Sequence, residues 1–357
     1  MPADRLFRSV ANRVAGDTRV LPDEGRLPSF DRATGWLGSE PVSPEALRGR
    51  VVLVDFCTYT CINWLRTVPY LRAWHASYAD AGLTVVGVHT PEFGFESDPG
   101  NVAPRLLELG VRYPVALDAD YGVWGDFANH YWPALYVGDA SGRIRFHHFG
   151  EGEYAMTEMA IQQLLREAGA PDVDQSLVMP EAHGLEVGAD WATLRSPETY
   201  LGYGQSSGFV AEDPELFDVA HDYRASARLP ANSWDLRGTW TLARHAAVLN
   251  EAPGGIRFAF HARDVNLVMA PGAAGGAGAG GGAGARGGAG AAVPFRVLLD
   301  GQPVGAAHGT DVDASGAGLL DAADTYQLVR QSGAIVDRVV EIEFAAPGAE
   351  VYCFTFG

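Results

Sequence analysis

The stretch Val51–Pro69, VVLVDFCTYTCINWLRTVP, leaves few folds open to this chain. Val51–Phe56 reads as a buried apolar strand. A short polar turn follows, holding Cys57 and Cys61. The chain then takes helical spacing over Ile62–Tyr78, with Leu65, Val68, Leu71 and Tyr78 near one face. A thiol between a strand end and a helix N-terminus meets free N–H groups and the positive end of the helix dipole, and both favour the nucleophilic thiolate. Cys61 is therefore the candidate nucleophile. Asp55, on the strand itself, would be costly to bury without a role or a partner.

The segments on either side read as a scaffold for this turn. LPSF at 27–30 and GWLGSE at 35–40 read as extended, and Ser43-Pro44-Glu45 as a short helix start with Pro in its first turn. Leu83–His89 is a second apolar strand, Val102–Leu109 a helix, Val115–Leu117 a short extended piece and Trp124–His130 a further helix. Ala134–Val137 and Arg143–His147 flank GDASG, a hairpin signal. Tyr154–Ala168 closes the region as a helix. Strands alternating with helices predict an α/β domain over residues 28–170, preceded by a loosely ordered arm over 1–27. Within the arm, Leu6, Val10 and Val14 would form a short amphipathic helix.

After a Pro-, Asp- and Gly-bearing linker over 171–195, the pattern changes. Ser233–Ala243, Gly255–Ala262, Asp264–Met269, Pro294–Asp300, Thr325–Arg330, Asp337–Phe344 and Glu350–Phe356 read as short strands with no long helix among them. Val340, Ile342 and Phe344 alternate strictly, which places them on one face. An all-β sandwich or jelly roll is expected over 196–357, with the Gly/Ala tract 271–292 as a flexible loop.

Totals narrow the function. All 26 basic residues are Arg, the net charge is −18, and no basic stripe is visible, so nucleic acid is not an expected partner. The acidity reads as solubility. Three cysteines in 357 residues cannot make a disulfide framework, and the pair at 57 and 61 reads as chemistry. Arg5, Arg8 and Arg13 interrupt the apolar runs at the start, and no stretch approaches the roughly 20 apolar residues of a membrane span. The chain is expected in the cytoplasm, away from membranes. His89, His130, His147 and His148 lack metal-ligand spacing with the cysteines, so neither a metal nor another cofactor is expected.

Several motifs carry a resemblance. Val54–Cys61, Val-Asp-Phe-x-x-x-x-Cys, resembles the active-site approach of the thioredoxin superfamily. TYTCINWLRTVPYLRAW, GVHTPEFGFE, NHYWPALYV and HHFGEGEY resemble the redoxin domain of the TlpA/ResA-like group, in particular the C-terminal part of DipZ-type proteins. The likeness covers roughly residues 28–168. SPETYLGYG, DVNLVM and VYCFTFG resemble the carbohydrate-binding-like domain that follows it there. The resemblance implies a thioredoxin-like fold and a proton-transfer role for Asp55. It also implies a cis bond at Trp132-Pro133, whose loop would dock a substrate backbone opposite Cys61. The implied activity is thiol-disulfide exchange with a protein or small-molecule partner.

The departures leave the chemistry open. The expected Cys-Ile-Asn-Cys reads Cys61-Ile62-Asn63-Trp64, so the usual resolving thiol is missing. Cys61 could act alone, with its mixed disulfides resolved from outside. Cys57 could resolve it, although an extended run of four residues spans roughly 13 Å and a disulfide needs Cα atoms within about 7 Å. Thr58-x-x-Cys61 could position a peroxide, as in a thiol peroxidase, though Val54 stands where that motif begins with Pro. Or the fold has lost its chemistry and Cys61 is a small apolar residue, leaving a non-catalytic scaffold. Glu92 is a second acid/base candidate or a plain surface carboxylate. Arg66 could lower the thiol pKa or form an exposed ion pair. Trp64 and Trp132 would wall the substrate site or simply pack. In the β half, Tyr200, Tyr203, Trp234, Trp240 and Tyr326 are the rings available to a glycan, and core packing is the plainer use of them. Cys353, far along the chain, reads as a buried small residue. That domain would cover the site or mediate self-association into a homo-oligomer.

Overall fold

The computed structural model describes residues 20–212, 215–272 and 290–357. The amphipathic helix expected around Leu6, Val10 and Val14, and most of the Gly/Ala tract 271–292, lie outside the described residues.

The α/β half is built on a six-stranded sheet. Its strands are β1 (Gly35–Leu37), β2 (Val51–Cys57), β3 (Leu83–His89), β4 (Val115–Leu117), β5 (Ala134–Gly138) and β6 (Ile144–Phe149), in the order β1-β4-β3-β2-β5-β6. β2 and β4 flank β3 in parallel, and β5 and β6 add an antiparallel edge. Every residue of β2 is buried. Val52, Val54 and Phe56 enter one core with Val86, Val88, Ala134 and Tyr136, while Val51, Leu53, Asp55 and Cys57 face the other way. A strand covered on both faces is apolar at nearly every position, Asp55 being the exception, which explains why the sequence there shows no alternation.

The helices are α1 (Ile62–Tyr78), α2 (Pro99–Glu108), α3 (Gly122–Asp126) and α4 (Tyr154–Glu167). α2 starts three residues before the expected Val102. Asp98 caps it, accepting from the Gly100 N–H at 2.8 Å, and Pro99 takes the first helical position. α3 stops short of the expected His130, because Ala128 turns left-handed at φ 48°. The helix start expected at Ser43-Pro44-Glu45 is a run of turns instead.

The C-terminal half is all β. Among the described residues it holds β7 (Thr199–Tyr200), β8 (Ala220–Tyr223), β9 (Trp234–Leu242), β10 (Ala247–Leu249), β11 (Gly254–Phe260), β12 (Asp264–Pro271), β13 (Val293–Leu299), β14 (Gln302–Pro303), β15 (Ala317–Leu320), β16 (Asp324–Arg330), β17 (Arg338–Phe344) and β18 (Ala349–Phe356). All pair antiparallel along one path, β14-β13-β17-β11-β9-β10-β18-β12-β16, with β15, β7 and β8 as side branches. The path turns a corner inside β9. Trp234–Arg237 pairs with β11, and Thr239–Leu242 pairs with β8 and β10. Between them Gly238 sits at φ 94°, and a Cβ there would lie 2.9 Å from the Pro253 carbonyl oxygen. Only glycine fits that bend.

The corner encloses Trp234, Trp240, Phe258 and Phe344, all fully buried. Val340, Ile342 and Phe344 share the inward face of β17, as the alternation predicts. Ile342 sits between Ile256 and Val297 on the neighbouring strands. Ile342→Val should lower stability by about 1 kcal/mol, the usual loss for one buried methylene, read as a shift of the urea midpoint at unchanged slope.

The compact units do not follow chain order. One comprises Met1–Cys57, Tyr70–Thr90 and Arg112–Met179 and contains the six-stranded sheet; the other comprises Thr58–Pro69, Pro91–Val111 and Pro180–Gly357. The turn bearing Cys61 belongs to the second.

Candidate functional site

The candidate residues divide between the two units. In the second, the turn Thr58–Cys61 closes with the Cys61 N–H donating to the Thr58 carbonyl at 3.1 Å. The Cys61 carbonyl then accepts the first bond of α1, from the Leu65 N–H at 2.9 Å. Cys61 is thus the cap of α1, and the N–H groups of Asn63 and Trp64 are directed at its sulfur. That geometry is the one expected from the sequence.

The expected electrostatic outcome is overturned. The Cys61 thiol is pushed well above its ordinary value, chiefly by burial and then by the charges of Glu92 and Glu198. The two N–H groups pull the other way and are outweighed. The sequence places the dipole beside the sulfur and offers Glu92 as a candidate, but conceals Glu198, which lies 137 positions along the chain.

Glu92 is not a plain surface group. Burial first, then the charges of Glu198 and Glu96, push its carboxyl up to about 8. The Tyr200 hydroxyl donates to it and stands beside Glu198 as well. At neutral pH, Glu92 therefore holds a proton next to Cys61.

Glu96, which the sequence reading passes over, organises this turn. Its buried carboxylate accepts from the Thr60 hydroxyl at 2.6 Å, the Glu92 N–H at 2.7 Å and the Phe93 N–H at 2.8 Å. It ties the cysteine turn to the loop that carries Glu92. Three further bonds hold the turn from the strand side: Tyr59 Oη to the Ala323 carbonyl at 2.8 Å, Thr325 Oγ1 to the Thr60 carbonyl at 2.6 Å, and Arg66 Nη2 to the Phe356 carbonyl at 3.0 Å. Arg66 is buried, not exposed as expected for an ion pair at the surface. Trp64 is also fully buried and presents no surface to a substrate.

In the first unit, Asp55 is buried at the centre of β2, opposite Gly87 and Leu135. Its charge, after burial, helps push the Tyr113 hydroxyl up. Cys57 ends β2 with its thiol against the Val88 carbonyl at 3.5 Å. The Trp132–Pro133 bond is cis. Trp132 donates from its indole to the Thr90 carbonyl at 3.1 Å and leans on Trp124 with ring centroids 4.4 Å apart, keeping part of its surface open. His89, closing β3, is buried, and burial pulls it down to about 3. A neutral buried His costs stability once the unfolded chain begins to bind its proton. Stability from this group is therefore complete above about pH 6.5 and is lost as pH falls towards 3. The stability gap between wild type and His89→Asn should narrow by about 1.4 kcal/mol per pH unit below 6.5, measured by urea unfolding at several pH values.

Of the five rings set against a glycan, Trp234 and Trp240 are fully buried and Tyr326 nearly so. Tyr200 is engaged with Glu92, and Tyr203 leans on Phe217 with centroids 4.7 Å apart and the rings tilted by 37°. Among the described residues no group of three or more His, Cys, Asp or Glu side chains can hold a metal, and no helix is long and apolar enough to cross a membrane.

Comparison with known proteins supplies the lineage. The family described as "Thioredoxin like C-terminal domain" matches residues 196–357. Protein DipZ of Mycobacterium bovis and of Mycobacterium tuberculosis are each 42% identical over 253 residues, which is 69% of this chain and 35% of theirs. The chain thus spans about a third of the length of these relatives. Thiol-disulfide oxidoreductase YkuV of Bacillus subtilis is 27% identical over 141 residues, 40% of this chain and 95% of its own length. A solved thioredoxin-like protein in its oxidised form aligns over 42% of this chain and 99% of its own at 28% identity, with a TM-score of 0.36. The chain belongs to the thioredoxin superfamily, with an α/β redoxin domain followed by an all-β thioredoxin-like C-terminal domain, and it resembles the DipZ proteins.

Proposed function

We propose that this chain is a thiol-disulfide oxidoreductase in which Cys61 is the attacking thiol and the favoured direction is reduction of a disulfide substrate. The observation that carries the proposal is the pairing of a capped helix N-terminus with a protonated carboxyl at one sulfur. The N–H groups of Asn63 and Trp64 are aimed at Cys61, and Glu92 beside it is pushed up to about 8. A thiol whose charged form is disfavoured gives a reduced state that is not specially stabilised, and such sites sit at the reducing end of the scale. Cys61 would release its proton to solvent and attack one sulfur of the substrate, forming a mixed disulfide as the substrate S–S bond breaks. Glu92 would give its proton to the departing thiolate and recover one from the next thiol to react.

Asp55 and the loop at Trp132 and Pro133 belong to the other unit, and a proton-transfer role for the first and a docking role for the second rest on the family resemblance alone. The substrate class is a disulfide of a protein or a small thiol. A reducing compartment such as the cytoplasm suits a protein that works by attack of a thiol on a disulfide. A non-catalytic scaffold draws on the same raised thiol, so turnover must separate the two readings.

The test is reduction of insulin disulfides by the protein with dithiothreitol as electron source. Wild type and Cys57→Ser should both exceed background, and Cys61→Ser should match background. Equal loss in Cys57→Ser and Cys61→Ser would instead make Cys57 part of the working pair. A wild type at background would leave the scaffold reading standing.

A further inference from the structure

We propose that Cys353 is the resolving thiol for Cys61, replacing across the fold the cysteine that Trp64 displaces from the motif. The inference rests on Cys61 being the attacking thiol. Cys353 lies in β18, between Tyr200 on β7 and Val268 on β12 as cross-strand partners. A bulge in the β12–β18 ladder sits at this point, where Val268 pairs with Cys353 and Met269 with Val351. The extra residue puts Tyr352 and Cys353 together on one face, while Val351 and Phe354 enter the main core. On that face Cys353 clusters with Val268, Tyr352 and Phe93, and Phe93 directly follows Glu92 in the chain.

Both cross-strand neighbours lead to the cysteine turn. Tyr200 donates to Glu92. On the other side Val268 pairs with Thr325, whose hydroxyl donates to the carbonyl of Thr60, the residue before Cys61, at 2.6 Å. Thr325 and Cys353 are two strands apart, about 10 Å at the usual spacing, and Cys61 follows Thr60 by one Cα step of about 3.8 Å, so the bridge, whose Cα atoms must come within about 7 Å, requires the cysteine turn to move towards β18 once Cys61 has reacted. The two sulfurs also share their surroundings. Burial and then Glu198 and Glu92 push the Cys353 thiol up, and the Cys61 charge adds to them.

The chemistry balances without a further oxidant. Cys61 attacks a substrate R–S–S–R′, its new bond to the R sulfur forms as the S–S bond breaks, and R′–SH leaves. Cys353 passes its proton to a neighbouring carboxylate, and its sulfur attacks Cys61. The Cys61–S–R bond breaks, and R–S⁻ takes a proton and leaves as R–SH. Two protein thiols are oxidised to one Cys61–Cys353 disulfide, and one substrate disulfide is reduced to two thiols.

The test uses the full chain, fully reduced, desalted and mixed with oxidised glutathione. The reaction is quenched in acid, free thiols are alkylated, and the unreduced digest is read by mass spectrometry. The expected result is a linked Cys61–Cys353 peptide in wild type and in Cys57→Ser. Cys353→Ala should stall as a lasting glutathione adduct at Cys61. The same lasting adduct in wild type, or a Cys57–Cys61 peptide in place of the expected one, would overturn the assignment while leaving Cys61 as the nucleophile. A wild type with no adduct and no link at Cys61 would remove the attacking thiol and this inference with it. The wild-type linkage reads the proposal directly, so it holds even if a variant folds poorly.

Discussion

At pH 9, Cys61 in Glu92→Gln should alkylate with iodoacetamide on the order of tenfold faster than in wild type, while at pH 6.5 the two proteins should react alike. The reason is the order in which the site loses its protons. Glu92 is pushed up to about 8, so below neutrality it is uncharged in wild type and a glutamine there changes little. Above pH 8 its carboxylate forms and opposes ionisation of Cys61, as Glu92 is the first of the two acidic neighbours that raise the thiol. Glutamine removes that charge and leaves burial as the main brake. Only the thiolate alkylates, so the rate follows its fraction. The two titrations are coupled, and the wild-type profile should rise later and more gradually than that of the variant. Profiles that coincide across the whole range would mean that Glu92 does not face Cys61. A variant faster at pH 6.5 would mean that Glu92 is already charged there.

The same site shows which parts of the fold can be read from a single chain. β2, β3 and α1 are legible because their signals are local: an apolar run, a second apolar run and helical spacing between them. Leu83–His89, Val115–Leu117 and Ile62–Tyr78 fall where the sequence puts them. The long β strands of the second half are equally legible, since alternation and apolar content persist over seven or more residues. β7, β8, β10, β14 and β15 are two to four residues long and carry no period. Cys61 stands out because a thiol at a strand–helix junction is a local signal as well. What surrounds it is not local. Glu198, Tyr200 and Cys353 reach it from strands and loops at least 137 positions away, and only the fold brings them there. Glu96 ends GVHTPEFGFE, one of the stretches that carry the family resemblance. Its three bonds nevertheless depend on a loop geometry that spacing does not reveal.

Glu96→Ala should have the largest effect on both the turn and the stability. Removing the carboxylate leaves the Glu92 and Phe93 N–H groups and the Thr60 hydroxyl without their acceptor. Each buried donor left unpaired costs about 1–3 kcal/mol, so with three of them a loss of at least about 3 kcal/mol is expected in urea unfolding. Glu96→Gln separates shape from charge. Its amide oxygen can still accept from both N–H groups, and its NH₂ can donate to the Thr60 oxygen. Burial already pushes the Glu96 carboxyl up, so losing the charge relieves a desolvation cost. The glutamine variant should therefore stay close to wild type. The alanine variant carries a second consequence. Burial is the chief reason the Cys61 thiol is raised, and Glu96 binds the residue next to it. A loosened turn lets water reach the sulfur, so Cys61 in Glu96→Ala should alkylate faster at neutral pH even as the protein becomes less stable. Slower alkylation with the same loss of stability would mean that the turn aims the helix N–H groups at the sulfur more than it shields it. The dipole would then be the stronger influence on Cys61.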